Sequence, residues 1–241
     1  NMLPRSALGY LVRALQIRRE NRITPFTVLS CDNLPENGRM LRGLVLEFAS
    51  LIDPALASWI AAEGQFPSTM VDRITPATTP EDIAKVATLT GYHDAAPVMH
   101  EPFVQWAIED CFVGNTRPDF AAAGAEMVAN VTAHENMKLR MLNGTHSALA
   151  YAGYLAGHET IFDTVNDLVF ADYVRGLWSE ISPTVTAPPS VDLADYAEAL
   201  FARYANPNIR HRTWQIAMDG SQNLPQRILG TVEGAMVANR P

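Results

Sequence analysis

The feature that most limits the fold is an asymmetry along the chain. Patterns of short buried strands occur only before about residue 115, and from about residue 122 onward the apolar spacing is helical throughout. Residues 6–20 carry apolar groups at helical spacing, Pro25 breaks the pattern, and Phe26–Ser30 reads as a short buried strand ending at Cys31-Asp32-Asn33. A helix followed by a buried strand is the second half of a β-α-β unit, so the sequence reads as starting inside an α/β domain. Residues 38–62 predict a long helix interrupted near Pro54, Met70–Thr75 a strand closed by Pro76, and Phe103–Glu109 another strand. Thr79-Pro80-Glu81 predicts a helix start, with Thr at the N-cap and Pro at the first helical position. Helical patterns follow at 122–155, where an interruption is compatible with the pattern, and at 160–181, 192–204, 209–218 and 223–238, with loops at Pro183–Pro189 and Asn206-Pro207-Asn208. The expected architecture is an α/β remnant over 1–121 followed by a mainly α-helical domain over 122–241.

The 241 residues are 48% hydrophobic and 18% charged, a globular composition. The net charge of -8 without a basic cluster argues against nucleic acid, and the lack of a long apolar run argues against a membrane span or a signal peptide. Cys31 and Cys111 lack metal-type spacing and read as reduced, buried thiols of a cytoplasmic protein, with a disulfide between them the less favoured alternative. The opening Asn1-Met2 suggests a residual tag or a processing boundary.

The richest segment for chemistry is Lys138-Leu-Arg-Met-Leu-Asn-Gly-Thr-His146-Ser147. On an α-helix Asn143 and His146 lie one turn apart, and Lys138 lies about 80° from His146 around the axis. A lysine moves protons, an amide holds a developing alkoxide and an imidazole orients either partner, which suffices for alcohol–ketone interconversion without a metal. Asn143-Gly144 is a poor helix former, a local cost that often marks a site. Glu135, one turn before Lys138, is placed to pair with it or relay protons. A surface Lys, an interhelical Asn and a core His would give the same pattern.

Asp32 and Asn33 end the first strand, where open α/β sheets bind ligands, although an Asx-turn fits equally well. Asp72 and Arg73 are adjacent opposite charges that point to opposite sides of a strand, so one of them is a candidate for burial or a site. Arg210-His211-Arg212 offers a small cationic group that suits a carboxylate or a polyhydroxy chain, as well as a plain helix end. His93, His100, His134, His158 and His211 lack zinc spacing, and Trp106 and Trp178 read as core.

Five segments in order resemble the polyol-specific long-chain dehydrogenase/reductase family, which includes mannitol 2-dehydrogenase and fructuronate (mannonate) and tagaturonate reductases. They are Ser30–Gly38, Phe66–Pro76, Glu101–Asp110, Lys138–Ser147 and His211–Arg227. The resemblance implies a Rossmann-type α/β part and a metal-independent NAD- or NADP-dependent oxidoreductase acting on a sugar alcohol or hexonate. It implies Lys138 as general acid/base, Asn33 and Asn143 as holders of the reacting oxygen, and His146 as its orienter. Asp72 would line the site near substrate and nicotinamide, Arg212 would contact substrate, and Glu135 would connect Lys138 to solvent.

Two departures stand out. No G-x-G-x-x-G occurs, so the sequence resembles a middle portion of the family without its N-terminal Rossmann segment or its C-terminal end, and Asn223 stands where relatives often carry lysine. The competing readings are a non-catalytic binding or scaffold module that has lost its cofactor domain and, ranked lower, a metal-dependent alcohol dehydrogenase. Polyol against sugar acid, NAD against NADP, and the oligomeric state stay open at this level.

Overall fold

The computed structural model describes residues 4–189 and 191–237. Two compact units emerge, one comprising the residues up to Val71 with Gln105–Thr132, the other Asp72–Val104 with the residues from Ala133 onward. This grouping differs from a single cut at 121/122, because the segment between the first two strands groups with the helical part.

The first unit opens with α1 (Ala7–Glu20), capped by the Ser6 hydroxyl, which accepts from the Gly9 amide at 3.2 Å. The pattern across 38–62 resolves into α2 (Asn37–Ile52) and α3 (Pro54–Glu63). Asp53 makes the break: its carboxylate accepts from the Ala55 amide at 2.8 Å, and Pro54 starts the next helix without needing an N–H partner. Val12 and Leu15 of α1 pack against Val45 and Ala49 of α2 and Leu56 and Ile60 of α3, all removed from solvent. The strands are β1 (Thr69–Asp72), β2 (Gln105–Glu109) and β3 (Glu126–Val128), in the order β1-β2-β3. β2 and β3 run parallel, with Ala107 opposite Glu126 and Glu109 opposite Val128.

Three expectations need correction here. Phe26–Ser30 is extended but is not a strand; its bonds, Val28 amide to Gln65 carbonyl at 3.0 Å and Thr69 hydroxyl to Ser30 carbonyl at 2.6 Å, go to single partners rather than to a ladder. Residues 126–128 form a strand within a stretch expected to be helical, since three residues are too few to show a period of two. Neither cysteine is core: both are free, Cys31 is exposed and Cys111 half-buried.

The second unit begins with α4 (Pro80–Thr90), closed at its start by a Thr79–Asp82 capping box. α5 (Thr132–Met137) runs into a π-helical segment, Lys138–Gly144, and on into α6 (Thr145–Leu155). α7 (Ile161–Val165) and α8 (Leu168–Ile181) divide the pattern expected at 160–181, and α9 (Leu193–Tyr204) matches the expected 192–204 closely. Helix is confined to α10 (Thr213–Ile216) within 209–218, because Arg212 instead forms a β-bridge with Thr160. α11 (Gly220–Leu224), a second π-helical segment (Pro225–Leu229) and α12 (Gly230–Val237) follow; the expected helix to 238 ends outside the described residues, as does Asn1-Met2. No helix among the described residues is long and apolar enough to cross a membrane.

The core of this unit explains the first π-helix. Met137, Met141, Leu142 and Leu149 pack against Val174, Trp178 and Ile181 of α8 and Leu200 and Tyr204 of α9. The Trp178 indole donates to the Met141 carbonyl at 3.3 Å, and the Tyr204 hydroxyl donates to the Leu142 carbonyl at 2.8 Å. A π-helix closes its bonds one residue later than an α-helix, and partners that bond its carbonyls from outside offset that poorer geometry. Pro225 opens the second π-helix with no N–H to give, which already interrupts the α ladder.

Candidate active site

Asp72, the last residue of β1, is 2% exposed and Glu101 is 1% exposed, and a single guanidinium answers both. Arg203 of α9 donates from Nη1 and Nη2 to Asp72 at 3.0 and 2.7 Å, and from Nε and Nη2 to Glu101 at 3.0 and 2.7 Å. The Phe103 ring lies 4.0 Å from the guanidinium carbon, the Ile74 amide donates to Glu101 at 2.6 Å, and the Tyr196 hydroxyl lies 3.5 Å from Asp72. Two carboxylates raise the Arg203 pKa despite its burial, while burial and then Asp72 push the Tyr196 phenol far up. Of the adjacent pair, Asp72 is the buried member, and the exposed Arg73 donates to the Phe103 carbonyl at 3.0 Å. Any contact of Asp72 with substrate or cofactor adds to an already occupied carboxylate.

Lys138 opens the first π-helix at 9% exposure, in a chain with only two lysines. Burial pushes its pKa below the ordinary lysine value; Asp72 pulls it up, Arg203 and Arg227 push it down, and the half-buried Glu135 pulls it up more weakly. His146, on α6, is 7% exposed and its ring stands edge-on to His211 at 4.9 Å and 5.4 Å from the Tyr204 ring. Burial holds this imidazole well below its usual pKa, with His211, Arg227 and Arg203 adding to the effect. Both groups are therefore biased towards their neutral forms: an amine able to accept a proton, and an imidazole with one donor and one acceptor.

The π-helix changes the angular relations expected between Lys138, Asn143 and His146, because positions 138–144 no longer advance at the α-helical pitch. Asn143 is half-buried on this segment. Gly144 has a packing reason: a Cβ there would lie 2.7 Å from the Arg227 carbonyl of the second π-helix. This brings Arg227 to the site, half-buried, with Nη1 donating to the Ser147 hydroxyl at 3.1 Å.

Asn33 belongs to the other unit, exposed in the turn before α2. That turn is held by the buried Asn37, which donates to the Asp32 carbonyl at 2.8 Å and accepts from the Thr69 amide at 2.9 Å. Arg212 is exposed at the start of α10 and, with Lys85, His100 and Arg210, lines an open cleft of about 640 Å³.

The residue-level reading missed Glu101, Arg203 and Arg227, and took His211 only as part of a cationic group with Arg210 and Arg212. For Arg203 a signal existed, since it shares with Tyr196 and Leu200 the face of α9 that is buried. The other three depend on elements distant in sequence.

The chain matches the family model described as the mannitol dehydrogenase Rossmann domain over residues 2–122, and that of the mannitol dehydrogenase C-terminal domain over residues 130–240. It is 53% identical over 230 residues to a D-mannonate oxidoreductase of Escherichia coli (strain K12), covering 95% of this chain and 47% of that protein. It is 40% identical over 242 residues to a mannitol 2-dehydrogenase of Aspergillus terreus, covering 99% of this chain and 48% of that protein. Among solved structures, D-sorbitol dehydrogenase in substrate-free form superposes with a TM-score of 0.91 at 36% identity, covering 99% of this chain and 49% of that one. Pseudomonas fluorescens mannitol 2-dehydrogenase, solved as a ternary complex with NAD and D-mannitol, superposes with a TM-score of 0.88 at 39% identity, covering 99% of this chain and 48% of that one. The chain thus spans about half the length of the curated relatives it matches. With both of its parts matched, a Rossmann-type portion followed by a mainly helical domain, the chain belongs to the mannitol dehydrogenase family.

Proposed function

We propose that this chain carries the proton-transfer and substrate-holding part of an oxidoreductase that interconverts a six-carbon polyol or hexonate with its ketose or keto-uronate. The observation that carries this reading is Lys138, a buried amine with a depressed pKa at the start of a π-helix, eight residues before the buried imidazole of His146. In the oxidation direction Lys138 accepts the hydroxyl proton as the carbinol carbon loses hydride, and in reduction it returns that proton to the oxygen. Asn143 holds the oxygen as charge develops on it, a role the family resemblance also gives to Asn33, His146 orients it, and Glu135 exchanges protons between Lys138 and solvent. Lysine and amides thereby stand where a metal would polarise the carbonyl. Asp72 lines the site near substrate and nicotinamide, and Arg212 contacts substrate from its cleft. Residues 1–121 are read as the remainder of the nucleotide-binding domain and 122–241 as the catalytic domain, a division that the two family-model matches support.

When bound, a nicotinamide dinucleotide supplies the hydride acceptor. Gly38, in the first turn of α2, is packed against the Phe66 and Pro67 carbonyls, which a Cβ there would strike, so its lack of a side chain has a packing reason apart from any phosphate.

The test is Lys138→Ala in the complete protein, assayed with D-mannitol and D-mannonate. General acid/base catalysis predicts a fall in kcat of about 10²–10⁴-fold with nucleotide binding retained. Turnover within a few-fold of the parent on whichever compound is the substrate would sink the proposal.

A further inference from the structure

The second π-helix holds a charge that the reaction above does not use. Arg227 lies half-buried against the first π-helix, its carbonyl 2.7 Å from where a Cβ on Gly144 would stand and its Nη1 donating to the Ser147 hydroxyl at 3.1 Å. Ser147 is itself 1% exposed and adjoins His146. No carboxylate lies within ion-pair distance of Arg227 among the described residues, whereas Arg203 in the same unit binds two. A guanidinium has five donors in a planar fork matched to a carboxylate, and one hydroxyl uses only one of them. Burying a cation without its counter-charge is costly, and such a site is relieved when an anion arrives. The Arg227 charge also adds to the depression of the Lys138 and His146 pKa values, behind burial in both cases.

We infer that Arg227 is the substrate-specificity residue of this site and binds the carboxylate of a six-carbon sugar acid, so that the chain selects hexonates over uncharged hexitols. This rests on the oxidoreductase reading. Arg210 and Arg212, the cations singled out by sequence spacing, are exposed and line a cleft open to water, where an ion pair discriminates weakly. Arg227 approaches through a half-buried position on an ordered element, where a forked contact to a carboxylate is strong. Carboxylate binding would also lessen the effect of the Arg227 charge on Lys138, coupling recognition of the far end of the substrate to the base.

The experiment compares the parent, Arg227→Met and Arg227→Lys in the complete protein, measuring kcat/KM on D-mannonate and on D-mannitol. The expected result is a fall of about 10²-fold in the ratio of kcat/KM on D-mannonate to that on D-mannitol for Arg227→Met, most of it in the KM for D-mannonate, with an intermediate fall for Arg227→Lys. Equal losses on both compounds would assign Arg227 to packing between the π-helices, and unchanged D-mannonate kinetics would leave the carboxylate to another residue; either overturns the inference. It is also overturned if Arg212→Gln, rather than Arg227→Met, abolishes the preference. A rise in Tm on adding D-mannonate is read without turnover. If the parent turns over neither compound yet shows a rise that Arg227→Met abolishes, the oxidoreductase reading fails and the carboxylate contact stands. An equal rise in both proteins, or none in either, overturns the contact.

Discussion

The helical unit contains two groups of buried charge that meet the cost of burial in opposite ways. At Arg203 one guanidinium is shared between Asp72 and Glu101 and covered by the Phe103 ring, and the cation is held charged. At Lys138 burial prevails, the added charges of Arg203 and Arg227 push the same way, and both Lys138 and His146 are driven towards neutrality. The two groups touch electrostatically through Asp72, which raises the lysine pKa from within the saturated network. A satisfied network holds shape; a base whose pKa is lowered by its surroundings gives up and takes a proton more readily near neutral pH.

The sharpest way to break this contrast is Arg203→Met. It leaves Asp72 and Glu101 buried without their cation and should cost about 3–5 kcal/mol in chemical denaturation. A loss below about 1 kcal/mol would mean the network behaves like a surface pair. Gly144→Ala tests the other group through packing. Its Cβ would meet the Arg227 carbonyl at 2.7 Å, so the two π-helices must separate, at a cost of about 1–3 kcal/mol and with loss of activity. The smallest effect is expected from Glu135→Gln. Its carboxylate raises the Lys138 pKa, so removing it lowers that pKa, and alcohol oxidation, which needs the neutral amine, should gain its acidic limb at lower pH. The pH profile of kcat/KM checks the sign: a limb displaced to higher pH would contradict the placement of Glu135. Arg227→Met should displace the limb the other way, because it removes a charge that lowers the lysine pKa.

Elements with strong local signals were legible in the sequence. The capping box at Thr79, the Pro54 break and α9 follow from side chains that act within a turn of where they stand. β3 was not legible, because three residues gain strand character only by pairing with β2. Both π-helices were hidden for a related reason: the bonds that stabilise the first come from Trp178 and Tyr204, on helices 37 and 62 residues away. The poor helix propensity of Asn143-Gly144 did mark the place, although its cause is the Arg227 carbonyl and not only the chemistry of Asn143.

By itself the sequence determined the chemical types present and their order: a lysine, an amide and a histidine within ten residues, the strand patterns before them and the helical patterns after. Tertiary structure alone decided their electrostatic state. Whether Lys138 is an ordinary surface cation or a depressed base depends on burial and on Asp72, Arg203 and Arg227, which stand 66, 65 and 89 residues away. Local spacing carries dihedral preferences and periodicity over a few residues, whereas a pKa responds to every charge and every lost water molecule around the group, wherever in the chain those neighbours originate.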